Sequence, residues 1–382
     1  MAYTPRFDYY DAMVHRLMEI ARHREFSDHV PISPSADFRL RKQARQRSTH
    51  SSTVIEGNPI TQKSIPETIA DRGRTPSEAQ MEVRNYWRAL EWIDEAVADE
   101  VEPSETVIQR LHAIIYAGGR GRPRETSQYR TGQMRITDSA TGKIEYMAPE
   151  PQDVPSLMFE FVAWWKSQAA QNLPAAIRAG IVAYRFVTIH PFDDGNGRTT
   201  RALATYELWR SGYAFRGYLA LEDYYARDLQ AYYGALQMGL NHNYYFGRHD
   251  PDLTPWLDFF TETLLQGARE VRKATEQVLG MEKEARPRKP ITRRLDNLVL
   301  RALVQAIVER RSAITFAVGD LIDWFGVSDK TARDWLAGWR QQGHVEPATG
   351  DERVRSWRFA GELGKTVETV RKDAIAEGEG SE

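Results

Sequence analysis

The sequence predicts a mainly α protein, and three observations carry that expectation. Most segments before residue 290 repeat apolar residues at helical spacing. The same stretch holds one pair of β-prone runs around a polar turn. A charged, proline-broken run, Met281–Arg294, then reads as a linker to a compact final unit.

Helical periodicity covers Tyr9–Arg24, Ser77–Val97, Glu105–Tyr116, Val154–Ala170, Ala175–Ile189, Thr199–Arg210, Arg227–Gly239 and Pro255–Leu279, with Pro, Gly and Asn between them. Ser52 and Glu56 stand four apart, on one face if their segment is helical, before a Gly57-Asn58-Pro59 stop. Gln128–Thr137 and Lys143–Pro149 flank a polar turn and predict a hairpin. Ile177, Ile181, Val182, Phe186 and Ile189 put His190 at the end of a buried helix, and Ser211-Gly212 stops the next one. Beyond the linker, Leu295–Arg310 and Ala317–Phe325 read as helices, and Ser328 caps a third over Asp329–Gln342. Val345–Phe359 reads as a hairpin, and the acidic tail 361–382 as a frayed end. The domain boundaries expected are therefore 1–75, 76–280, a linker 281–294, and 295–360.

With 51 basic and 53 acidic side chains in 382 residues, a net charge of −2 announces no polyanion partner for the chain as a whole. There are no cysteines, which excludes disulfides and thiol catalysis. No run reaches the length of a membrane span and the start lacks a signal peptide's apolar stretch, so a cytoplasmic protein without a membrane partner is expected. His15, His23, His242 and His249 lack metal-ligand spacing with a third ligand.

His190–Arg201 reads His-Pro-Phe-Asp-Asp-Gly-Asn-Gly-Arg-Thr-Thr-Arg. Gly195-Asn196-Gly197 can aim successive amides at one point, where the following helix presents its positive end; that point suits a phosphate. His190 has a resting pKa near neutrality and is the candidate base. Asp194 is a hard oxygen ligand suited to Mg²⁺. Arg198 and Arg201, three apart, can grip neighbouring phosphates with forked guanidiniums. Taken singly, each part has a plainer reading: a structural helix-end histidine, an ordinary glycine loop, a hairpin without a partner.

The twelve residues together resemble the signature of the Fic (Fido) family, His-Pro-Phe-x-Asp/Glu-Gly-Asn-Gly-Arg-x-x-Arg, without a departure. The resemblance implies a Fic-type helical core with a β-hairpin flap. It also implies a protein adenylyltransferase that moves AMP from ATP, with Mg²⁺, onto a Ser, Thr or Tyr hydroxyl of a target protein. It assigns His190 to deprotonating that hydroxyl and Asp194 to Mg²⁺. Gly195, Asn196 and Gly197 are assigned to the α-phosphate, and Arg198 and Arg201 to the outer phosphates. Gly197 stands where the family's phosphotransferase toxins carry Lys. Ser52 to Gly57 resembles the inhibitory motif of the family's second class, whose Glu, here Glu56, pairs with Arg201. Gln133, Met134, Arg135 and Ile136 fall at the place of the target-binding flap, and Tyr232-Tyr233 matches a pair set beside adenine.

Residues 295–360 resemble a small winged helix-turn-helix domain, with Lys330, Arg333 and Arg340 on the recognition helix and Arg353, Arg355 and Arg358 near the wing. Such a unit serves DNA or protein contacts, so a homodimer stays open. So do two other functions: a DNA-binding regulator with a silent core, and a Fic enzyme using UTP or CDP-choline. The target protein is not legible.

Overall fold

Two helices buried along nearly all of their length make a central pair, and other helices of the first unit pack against it. The computed structural model describes residues 3–71, 76–117, 126–137, 142–285, 315–325, 327–348 and 356–361. The chain divides into two compact units, Met1–Glu284 and Ala285–Glu382. The first contains α1 (Asp11–His29), α2 (Pro34–Val54), α3 (Ile65–Ala70), α4 (Glu78–Ala98) and α5 (Glu105–Ile115). A hairpin of β1 (Arg135–Thr137) and β2 (Ile144–Met147) follows. Next come α6 (Val154–Lys166), α7 (Gln168–Gln171), α8 (Ala175–Ile189), α9 (Asn196–Arg210), α10 (Leu221–Arg227), α11 (Leu229–Gln237) and α12 (Thr254–Ala285). Among the described residues no helix is long and apolar enough to cross a membrane.

Serines start several of these helices as the sequence leads one to expect. Ser77 accepts from the Gln80 amide, while the Gln80 side chain reaches back to the Ser77 amide, a reciprocal capping box. Ser33, Ser104 and Ser167 cap α2, α5 and α7. Nearly every side chain of α8 is buried, and α8 packs along α9.

α9 is an unusual centre for a core, because its buried residues include Arg198, Thr199, Thr200, Arg201, Thr205 and Glu207. Such groups must find partners. Thr199 and Thr200 donate to the carbonyls four residues back, at 2.8 and 2.7 Å. Glu207 accepts from Trp165 Nε1 at 2.7 Å and from Ser211 Oγ at 2.8 Å, and pairs with Arg178. Arg178 also reaches the carbonyls of Ala170, Gln171 and Leu173, so one network ties α6, α7, α8 and α9. Removing one partner of a buried pair leaves the other uncompensated, at about 3–5 kcal/mol. Glu207→Ala is therefore expected to lower the main calorimetric transition by on the order of 10 °C; an unchanged transition would contradict this account of the core.

Several boundaries differ from those expected. The predicted helix Arg227–Gly239 is two, α10 and α11, because Asp228 leaves helical backbone angles and caps α11 by accepting from the Ala231 amide at 2.9 Å. Ser167 splits Val154–Ala170 in the same way. The β-prone run Gln128–Thr137 is strand only from Arg135, since Arg130 is drawn inward. α12 continues through Met281 to Ala285, so the expected linker does not begin at Met281; Met-Glu-Lys-Glu-Ala consists of good helix formers. The N-terminal helical region expected over 1–75 lies in the first unit with the helices that follow it. α2 was not anticipated beyond its final residues. Its inner face is small and polar (Ala44, Ser48, Thr49, Ser52, Thr53) and carries no apolar period.

The described part of the second unit contains β3 (Thr315–Phe316), α13 (Val318–Phe325), α14 (Asp329–Gln341), β4 (Val345–Pro347) and β5 (Trp357–Phe359). The sheet runs β3-β5-β4, antiparallel throughout; β3 was not expected. Ser328 caps α14 by accepting from the Thr331 amide, as predicted. Phe316, Leu321, Leu336, Trp339 and Phe359 form its core. Arg333 is held by Asp329 at 2.6 and 3.1 Å, and Arg358 by Glu346 at 2.7 Å, all exposed. The predicted helix Leu295–Arg310, most of the linker, Arg353, Arg355 and nearly all of the tail lie outside the described residues.

Candidate active site

The α8–α9 connection builds the site. α8 ends because His190 takes a left-handed conformation, φ 51° and ψ 59°, with its amide still bonded to the Phe186 carbonyl. Its Nδ1 lies 3.1 Å from the Val187 carbonyl oxygen, which can only accept. The ring proton therefore sits on Nδ1, and Nε2 keeps its lone pair. Burial pushes the imidazole down to about 4, with nearby Arg130 acting in the same sense against the bond to Val187. His190 is neutral at physiological pH.

Gly195 carries the chain into α9 at φ 74°, a conformation costly for a residue with Cβ. No side chain caps the first amides of α9, which point at one place with the helix dipole behind them. Asp194 Oδ1 accepts from the Gly195 amide at 2.5 Å and lies 3.8 Å from Arg198 Nη2, and the side chain is 60% exposed. The Asn196 side chain is engaged with its own loop: Oδ1 accepts from the Phe192 amide at 3.0 Å and Nδ2 donates to the Phe192 carbonyl at 2.8 Å. It staples the loop, leaving its backbone amide for an anion.

A carboxylate lies beside Gly197, the second residue of α9. α2 ends at Val54, so Glu56 lies in the following turn rather than on the same helix face as Ser52, and Gly57 closes the turn at φ 87°. The Glu56 carboxylate rests over Gly197, where a Cβ would collide with Oε1. Arg201 Nη2 donates to Glu56 Oε1 at 2.8 Å, while Nε and Nη2 donate to the Ser52 hydroxyl and carbonyl at 2.9 and 2.8 Å. Burial would raise the Glu56 pKa, but the charge and hydrogen bond of Arg201, helped by Arg198, outweigh it and hold it below the ordinary carboxylate value. The Glu56–Arg201 pair that the resemblance implied is thus present.

Tyr232 is buried against Tyr225, ring centroids 4.4 Å apart, whereas Tyr233 is 41% exposed. Of the pair, Tyr233 is the exposed ring. In the hairpin, Arg135 pairs with Met147 and Ile136 with Tyr146. β2 is covered on its far side by the 242–243 segment, through Met147 N to His242 O at 2.8 Å. β1 is the other edge of this two-stranded sheet, with Ile136 43% exposed. Gln133 folds back onto the Ala148 carbonyl at 2.8 Å, and the Met134 carbonyl accepts from the Ala148 amide at 3.1 Å. Those two residues fasten the hairpin base, leaving Arg135 and Ile136 on the open strand.

Three positioning residues escaped the sequence reading. His112 stacks on Phe192 with centroids 3.7 Å apart and bonds the Asp194 carbonyl through Nε2 at 2.7 Å and Ser127 through Nδ1 at 2.6 Å. Its place on the buried face of α5 was the available signal. Arg130 donates to the carbonyls of His190, Gly132 and Pro149 at 2.8, 2.8 and 2.6 Å, locking the loop to the hairpin, and nothing local in the sequence marks it. Glu82, on α4, lies between Arg198 and Asn58.

Residues 102–208 match the model of the Fic/DOC family. This chain carries a Fic/DOC domain. The protein adenylyltransferases Fic of Drosophila persimilis and Drosophila virilis are 31% and 30% identical to it over 202 residues, 52% of this chain. The chain covers only 38% and 40% of those relatives. A Fic family protein from Desulfovibrio desulfuricans G20 shares the fold with a TM-score of 0.57 at 23% identity, over 94% of this chain and 99% of that one. A Fic domain-containing signaling protein from Bacteroides thetaiotaomicron superposes with a TM-score of 0.58 at 19% identity, over 69% and 97%. The Fic domain match takes in His190 to Arg201, while Glu56 and Glu82 lie upstream of it.

Proposed function

We propose that this chain is a protein adenylyltransferase, held in check by Glu56, that transfers AMP from ATP to a hydroxyl of a target protein and releases pyrophosphate. The observation that carries the reading is Glu56 itself. A carboxylate set against Gly197 at the uncapped start of α9, and paired with a buried arginine, competes for the place of a phosphate, so the site suits an anion and is closed by one. Relatives named protein adenylyltransferase, matched over about half the chain, support the same chemistry.

His190 Nε2 takes the proton of the incoming hydroxyl as its oxygen attacks the α-phosphorus; the bond to the β-phosphate oxygen breaks and pyrophosphate leaves. The amides of Asn196 and Gly197 meet charge on the α-phosphate, and Arg198 and Arg201 hold the outer phosphates. Asp194, whose side chain is exposed, would hold Mg²⁺ together with phosphate oxygens and water. Mg²⁺ bound there would neutralise phosphate charge. The open edge of β1 suits pairing with an extended target segment, and Tyr233 suits adenine. The second unit is assigned no part in this chemistry. Its DNA-binding reading gains no specific support, since two of its six candidate cations face carboxylates.

The test compares donors. Glu56→Gly protein with Mg²⁺ and α-labelled ATP should label itself, while γ-labelled ATP, UTP and CDP-choline should not. Labelling from the γ position, or preference for another donor, would overturn this reading.

A further inference from the structure

We propose that Glu82 is a positioning residue with two opposed effects: it turns Arg198 toward ATP, and it fastens the turn that carries Glu56. The inference rests on the adenylyl-transfer reading above. Glu82 stands on α4, outside both motifs.

One carboxylate oxygen, Oε1, lies 3.3 Å from Arg198 Nη1. The other, Oε2, accepts from Asn58 Nδ2 at 2.7 Å. Arg198 is buried, its Nη2 lies 3.8 Å from Asp194 Oδ1, and its Nε is buried without a hydrogen-bond partner among the described residues. A guanidinium offers paired donors in forks, one of them the side-on pair Nε and Nη2. With Nη1 given to Glu82, that side-on fork remains, and a buried donor calls for an acceptor. Two phosphate oxygens meet it.

Asn58 follows Glu56 by two residues and is the buried anchor of the turn. Its Nδ2 also donates to the Ala79 carbonyl and its Oδ1 accepts from the Ile60 amide, both at 3.0 Å. Loss of Glu82 therefore loosens the turn and lets Glu56 leave Arg201, while it also frees Arg198 to wander from the phosphate. The first effect raises turnover in the inhibited protein. The second weakens ATP binding, and it stands alone once Glu56 is gone.

The experiment measures self-labelling kinetics of Glu82→Ala and Glu82→Gln, each in the wild-type and Glu56→Gly chains. Glu82→Ala should raise kcat several-fold in the wild-type chain at saturating ATP. In the Glu56→Gly chain it should raise KM for ATP about tenfold, as for one lost charge-assisted contact, with kcat nearly unchanged. Glu82→Gln keeps an acceptor for Asn58 and loses the charge beside Arg198, so it should reproduce the KM rise and activate the wild-type chain less than Glu82→Ala. A general structural defect moves both backgrounds downward, and that outcome, or an unchanged KM, overturns the proposal. Absence of AMP transfer by Glu56→Gly itself would refute the enzymatic reading instead.

Discussion

Replacing His190 by alanine in the Glu56→Gly chain is expected to reduce AMP transfer by about 10²–10⁴-fold or more, the usual weight of a positioned general base. The fold should survive, because the ring makes one backbone hydrogen bond and the turn is held independently by Arg130, His112 and Asn196. Initial rates of label incorporation from α-labelled ATP check the loss, and circular dichroism checks the fold. The depressed pKa adds a pH signature. A group with its pKa lowered to about 4 binds its proton only below that value, so the base stays available as pH falls from 8 to 6. The kcat/KM profile should remain flat there and fall only as the pH nears 4. An acid limb centred at the ordinary histidine value would contradict the burial argument.

Glu56→Gly should raise the rate of the otherwise weakly active chain by tens- to hundreds-fold, the equivalent of a few kcal/mol for a charge-assisted pair that competes with phosphate. Arg201 keeps its place without Glu56, through the Ser52 hydroxyl and carbonyl. Because the Glu56 carboxylate titrates below its ordinary value, it stays ionised on Arg201 at neutral pH and mild acid should not relieve the inhibition. Initial self-labelling rates of the two proteins at saturating ATP, at pH 7 and pH 5.5, provide the comparison. Equal rates would reduce the Ser52–Asn58 segment to a helix end.

Much of the site was legible because its chemistry is local in sequence. A helix period ending at His190, two glycines and two arginines three apart lie within one loop and one turn of helix, so spacing alone brings them together. Glu56 was legible through a second short motif, although its exact placement was not: a helix face was expected and a turn is present, since the chain leaves α2 at Val54. What escaped depends on contacts distant in sequence. Arg130 reaches His190 across sixty positions, and Glu82 joins Arg198 and Asn58 from a helix with no signature of its own. The Asn196 amide could not be read as a staple, because its partner is the backbone of Phe192 and backbone leaves no trace in composition. α2 was missed for a related reason: its buried face is made of serine, threonine and alanine, bonded to carboxylates such as Asp223 instead of packed by period.

The intact mass of the Glu56→Gly protein after incubation with ATP and Mg²⁺ tests the central claim most directly. The account predicts a gain equal to one adenosine monophosphoryl group, lost on mild phosphodiesterase treatment and absent from the Glu56→Gly, His190→Ala double variant. A gain equal to a phosphoryl group, an adduct that persists without His190, or no adduct on the chain or on any added protein would contradict it.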